Sequence, residues 1–136
     1  MNYLKKTVLM TVLLGSLWLS LVQIAQAGQV VDPGCNTECK MCASTCEKTL
    51  NYCQTQSGKH NDSEHIKALQ DCISTCKQSS DFMNRGSTLR TLACSLCEKA
   101  CLRCAESCSA IKGDKMMQAC AVECKKCAQV CHKMNQ

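Results

Sequence analysis

Cysteine dominates the chemistry available to this chain. Sixteen of its 136 residues are Cys, and they recur at gaps of three and four. The densest stretch is CSLCEKACLRCAESC, which carries Cys94, Cys97, Cys101, Cys104 and Cys108. The same rhythm runs through Cys35, Cys39, Cys42 and Cys46, with Cys53 beyond them. It returns in Cys72 and Cys76, and again in Cys120, Cys124, Cys127 and Cys131. Gaps of three and four place the thiols of a segment on one face of an α-helix, whereas a strand would need gaps of two. Thiols so arrayed can form disulfides, act as nucleophiles or bind soft metal ions.

Disulfides within one stripe are excluded by geometry. Side chains four apart on a helix have Cβ atoms ~5–6 Å apart, and a disulfide needs ~3.8 Å. Bridges between helices stay open, so the alternative reading is a disulfide-stapled, helical, exported protein that binds a partner. Nucleophilic catalysis needs a base beside the thiol. No His lies in the middle of a stripe, so an enzyme is not expected.

Soft thiolates in bulk select Cu(I), zinc or iron–sulfur clusters. Zinc favours closed tetrahedral sites from Cys pairs or from Cys mixed with His. Here the pairs fall mid-helix and His is nearly absent from the stripes. Cys35, Cys39 and Cys42 match the spacing of a radical-SAM cluster motif, as do Cys97, Cys101, Cys104 and Cys120, Cys124, Cys127. Three copies in so short a chain reflect helical period rather than cluster ligation. Cu(I) accepts two or three thiolates, and a thiolate can bridge neighbouring ions. A linear ion sets its sulfurs roughly 4.6 Å apart if ~2.3 Å per bond is the guide. Charge favours many ions, because one Cu(I) between two thiolates leaves a net negative charge in the core. One ion per thiolate cancels it, for a capacity on the order of 16 ions. Loading would release protons, since buried thiols must ionise to bind.

The elements that position the stripes are also legible. Gly58, Gly86 and Gly113 sit in the polar breaks SGKHNDS, NRGS and KGD. Between the breaks lie four segments without Gly or Pro, Cys35–Gln56, Ser63–Met83, Thr88–Ile111 and Lys115–Met134. Asp32-Pro33, Asp62-Ser63, Ser87 and Asp114 are expected to start the helices. The stripes continue through Leu50, His65, Leu69, Ser79 or Ser80, Met83, Ile111, Met116 or Met117, and Met134. Leu89, Ala93, Leu96 and Ala100 are expected to pack between neighbouring helices, and off-stripe Met41 to face solvent. Helices joined by short breaks predict an all-α fold, an antiparallel up-down-up-down four-helix bundle with a Cys-lined core. Beyond residue 27 there is one Phe, one Tyr and no Trp, so sulfur must fill the interior that large apolar residues usually fill.

Lys5 and Lys6, the run TVLMTVLLGSLWLSLV and Ala25-Gln26-Ala27 have the grammar of a secretory signal. The expectation is a cleaved signal peptide over 1–27 and a metal-storage domain over 28–136, exported, periplasmic or secreted, with no membrane attachment after cleavage. The formal charge of +5 falls to +3 without Lys5 and Lys6, which argues against a nucleic-acid partner.

Stripes such as CNTECKMCASTC, CSLCEKACLRCAESC and CAVECKKCAQVC resemble those of the bacterial copper storage proteins, and the resemblance covers essentially the whole of 28–136. It implies a four-helix bundle whose inward cysteines hold many Cu(I) ions. It also implies storage outside the cytosol, supply to copper enzymes or protection from copper, exchange with copper chaperones, and a homotetramer. Family members admit copper at one end through His and Met. His65, Met116 and Met117, with Cys53, His60 and Cys108, gather at one end, and that end is the expected entrance. Phe82 is expected to seal the other. The second helix departs from the family, because Cys72 and Cys76 are its only thiols.

Overall fold

The computed structural model describes residues 33–136. The signal-like segment 1–27 and Asp32, expected to start a helix, lie outside the described residues. Four helices account for the described chain: α1 (Pro33–Gln54), α2 (Ser63–Asn84), α3 (Arg90–Ser109) and α4 (Lys115–Lys133). Each packs against its sequence neighbour, and α1 closes the ring against α4. This is the expected antiparallel bundle. Among the described residues no helix is long and apolar enough to cross a membrane.

Local chemistry sets the helix starts. Pro33 opens α1, where its missing N–H costs nothing. Asp62 caps α2, its carboxylate accepting from the backbone N–H groups of Glu64 and His65. Asp114 does the same for α4 through Met116 and Met117. The start of α3 differs from expectation. Ser87 Oγ accepts from Leu89 N at 3.2 Å, capping a preceding turn, so the helix begins at Arg90. The α2–α3 break turns through Gly86 at φ 61°, a left-handed value that glycine adopts without strain. The α1–α2 break is longer and folds a short 3-10 helix over Gly58–Asn61.

The core is mostly sulfur. All sixteen Cys are fully buried, joined by Leu69, Met117, Met83, Ile111 and small Ala residues. The stripe on α1 passes through Thr49 rather than Leu50, since Thr49 is fully buried and Leu50 only half-buried. Its hydroxyl donates to the Thr45 carbonyl at 2.9 Å, so a polar residue sits inside with its hydrogen bond made. On α3, Ala93 packs inward as expected, whereas Leu96 and, just before the helix, Leu89 are about half exposed. With cysteines filling the α3 stripe, these two leucines fall outside the buried arc. Met41 is exposed, as expected.

Candidate metal centre

The helical period brings thiols from all four helices to one axis. Sulfur atoms from different helices meet at 3.4 Å for Cys76 and Cys97, 3.5 Å for Cys46 and Cys124, and 3.5 Å for Cys72 and Cys101. Pairs four apart on one helix also meet, Cys97 with Cys101 at 3.8 Å and Cys120 with Cys124 at 4.0 Å. All sixteen are free thiols. Threefold coordination with ~2.3 Å bonds would set sulfurs about 4.0 Å apart, and linear coordination about 4.6 Å apart. The spacings therefore suit two- and three-coordinate soft ions with small rotamer changes.

Fourteen of the sixteen thiols fall into five groups, the sulfurs of each lying within 4.8 Å of one another, and Cys53 and Cys108 lie outside them. Along the axis the groups are Cys35/Cys94/Cys131, Cys39/Cys97/Cys127/Cys131, Cys42/Cys76/Cys101/Cys127, Cys42/Cys46/Cys72/Cys124 and Cys46/Cys104/Cys120/Cys124. Successive groups share Cys131, Cys127, Cys42, and then Cys46 with Cys124. The array is a chain of corner-sharing sites, the arrangement that bridging thiolates require.

The thiol-poor helix α2 is placed so that its two cysteines serve the middle. Cys72 reaches Cys42 at 3.8 Å and Cys46 at 3.6 Å. Cys76 reaches Cys97, Cys101 and Cys127. Toward the ends, α2 contributes Leu69 on one side and Ser79 with Met83 on the other, all buried. Ser79 Oγ is buried without a hydrogen-bond partner. At the Met83 end, Phe82 is only half-buried and lies under the Arg85 guanidinium at 4.4 Å. Met83 rather than Phe82 therefore closes that end of the core.

Burial and neighbouring sulfurs control ionisation. Burial pushes the Cys53 thiol up to about 11, aided by Cys120 and Asp114. In the middle, hydrogen bonding sorts the thiols. Cys101 first of all lowers Cys42 and Cys72, while Cys104 first raises Cys46 and Cys101 first raises Cys76. A sulfur that accepts hydrogen bonds is favoured as thiolate, and one that donates is favoured as thiol. Without metal, full ionisation of so many adjacent buried thiols is prohibitive. Monovalent cations in equal number remove that cost.

One end is chemically distinct. Cys53 Sγ lies 3.4 Å from His65 Nε2 and 4.0 Å from Met117 Sδ, and both partners are buried. The other ring nitrogen, Nδ1, is 2.7 Å from Ser107 Oγ. Burial lowers the His65 pKa, which keeps the imidazole neutral and able to act as a ligand. Met116 is 39% exposed and stands on the rim. His60 bonds Asp114 Oδ2 at 2.9 Å, and Tyr52 donates to the same oxygen at 2.8 Å. This network ties the end of α1, the 3-10 turn and the start of α4 together over the Cys53 end. Ser107 and Tyr52 carry no spacing signal, so sequence reasoning passed over them. Their roles exist only once α3 is brought against α2, and α1 against α4.

The comparisons agree with this geometry. A family model described as copper storage protein matches residues 31–136. A Cu(I)-bound copper storage protein, BsCsp3, superimposes with a TM-score of 0.73 at 26% identity, over 78% of this chain and 99% of that one. The apo copper storage protein 3 of Bacillus subtilis gives 0.70 at 26% identity, over 76% and 97%. A structural-genomics protein from Nitrosospira multiformis gives 0.69 at 33% identity, over 74% and 91%. No curated protein matches the chain. A sulfur-lined bundle and a family match over all of the described residues lead to one conclusion: this chain belongs to the copper storage protein family, whose members store copper and are not enzymes.

Proposed function

We propose that all sixteen cysteines bind Cu(I), with Cys53, His65 and Met117 forming a separate site at one end. The observation that carries this reading is the unbroken sharing of thiols between successive groups. A shared thiolate bridges two ions, so charge balance sets the capacity on the order of 16 Cu(I) per chain. The end site needs no bridging. One thiolate, a neutral imidazole and a thioether balance a single Cu(I), so this site can fill with the interior still empty. Met116, exposed at the same end, is not among the storage ligands.

The further reading is an exported protein whose segment 1–27 is removed and whose domain 28–136 holds copper in the periplasm. The basic start, apolar run and Ala-x-Ala sequence support it. A homotetramer, and exchange with copper chaperones or copper enzymes, extend the family likeness. Supply and protection share this chemistry, since both need many ions held tightly and released on demand.

Anaerobic titration of the reduced domain with Cu(I) against a competing chelator tests the reading. Many equivalents bound, with nearly all thiols free beforehand, is the expected result. Cross-linked thiols and one or two equivalents would defeat it. Replacing His65 by Ala should remove about one equivalent and abolish copper–nitrogen scattering at low loading, leaving the thiolate sites intact.

A further inference from the structure

We infer that copper enters through a lateral cleft between α2 and α3, delivered by a small zwitterionic thiol, and not along the bundle axis. This inference rests on the proposed ligand role of His65. The cleft has a volume of about 410 Å³, and His65 and Ser107 stand in its wall. His65 separates this cleft from the sulfur core, with Nδ1 at Ser107 and Nε2 at Cys53.

The axial approach is closed. Cys53, Cys108 and Met117 are fully buried at that end. Above them Asp114 holds Tyr52, His60 and the first turn of α4 at once. Opening this lid breaks several bonds to one carboxylate, and bonds to a charged acceptor are the stronger kind. From the cleft, displacement of a single hydrogen bond, Ser107 to Nδ1, frees the ring that contacts Cys53.

The cleft also suits a particular carrier. Lys59 and Glu106 line it, and both are exposed. Neither joins a salt bridge among the described residues, whereas Arg103 and Glu64 pair with each other. Asp62 also lines the cleft, but its carboxylate caps α2, so Lys59 and Glu106 are left to meet the carboxylate and ammonium of a small thiol peptide. Ala68 and Ala110 keep the space open. Transfer then needs no redox step. The carrier's copper–sulfur bond breaks as copper bonds to His65 and Cys53, and the Cys53 proton leaves on the carrier thiolate.

The test follows uptake from the Cu(I)–glutathione complex in stopped flow, anaerobically. Ala110→Trp narrows the cleft from an exposed position. It should slow uptake by about tenfold or more, as expected when entry requires displacement of structure, with final stoichiometry unchanged. The double variant Tyr52→Phe with His60→Gln loosens the axial lid and should load at the parent rate. Glu106→Tyr, on the same exposed rim, serves if the Trp variant folds poorly. Parental rates in the cleft variants, or faster loading in the lid variant alone, overturn the lateral route. Lys59→Glu should slow loading from the glutathione complex but not from a Cu(I)–acetonitrile complex. Equal slowing from both removes the peptide carrier. Failure of the His65 site shows separately, as missing copper–nitrogen scattering in the parent protein.

Discussion

Corner sharing makes a quantitative prediction about which thiols matter most. Cys42 and Cys124 each belong to two of the five groups, and together they touch three. Cys94 belongs to one group and Cys108 to none. The variants C42A/C124A and C94A/C108A each remove two thiolates, so charge balance alone predicts a loss of two ions from either. Sharing predicts more from the first pair, because three groups lose a ligand and the group with Cys46 and Cys72 loses two. With one ion lost per damaged group, the expected loss is about three equivalents for C42A/C124A and about one for C94A/C108A. The copper remaining near the missing corners should also yield first to a chelator. Each deletion removes a buried atom comparable to a methylene, at about 1 kcal/mol with its cavity. Cys42 and Cys124 are 3.9 Å apart, so their costs do not simply add, and the metal-free double variant should lose on the order of 1–3 kcal/mol. The assay is a chelator competition under anaerobic conditions, with helicity by circular dichroism and thiols counted after unfolding. Equal losses and equal affinities in the two variants would refute bridging and leave independent thiol sites.

Three further outcomes follow from the same geometry. Asp114→Ala deletes a helix cap and two side-chain bonds, so the metal-free protein should lose about 2–3 kcal/mol in urea unfolding, with capacity unchanged. Leu69→Cys puts a seventeenth thiol into the depleted stripe of α2. It should raise capacity by about one ion and lower metal-free stability by about 1–2 kcal/mol, and equilibrium titration with urea unfolding reads both. Because burial holds thiols such as Cys53 above the ordinary range, Cu(I) must displace protons. Loading should release about one proton per ion, and binding should weaken as pH falls, as measured with an indicator in weak buffer.

The fold and the sulfur stripes were legible in one dimension because a helix repeats every 3.6 residues. Gaps of three and four therefore state which face each thiol shares, and polar breaks with glycine state where the chain turns. The shortage of large apolar side chains then left the cysteines as the only core available. Stripe membership was ambiguous where a gap could be read either way. Thr49 replaced Leu50, and Met117 rather than Met116 turned inward, because the packed neighbours decide such ties. Pairing between helices was not legible at all. That Cys72 and Cys76 serve the middle, that Ser107 holds His65, and that Asp114 gathers Tyr52 and His60 each depend on the relative height of antiparallel helices. Loop lengths and side-chain packing set that height together, and no periodicity within one helix records it. Helical period dictates that the thiols face inward. Only the docked bundle decides which of them meet.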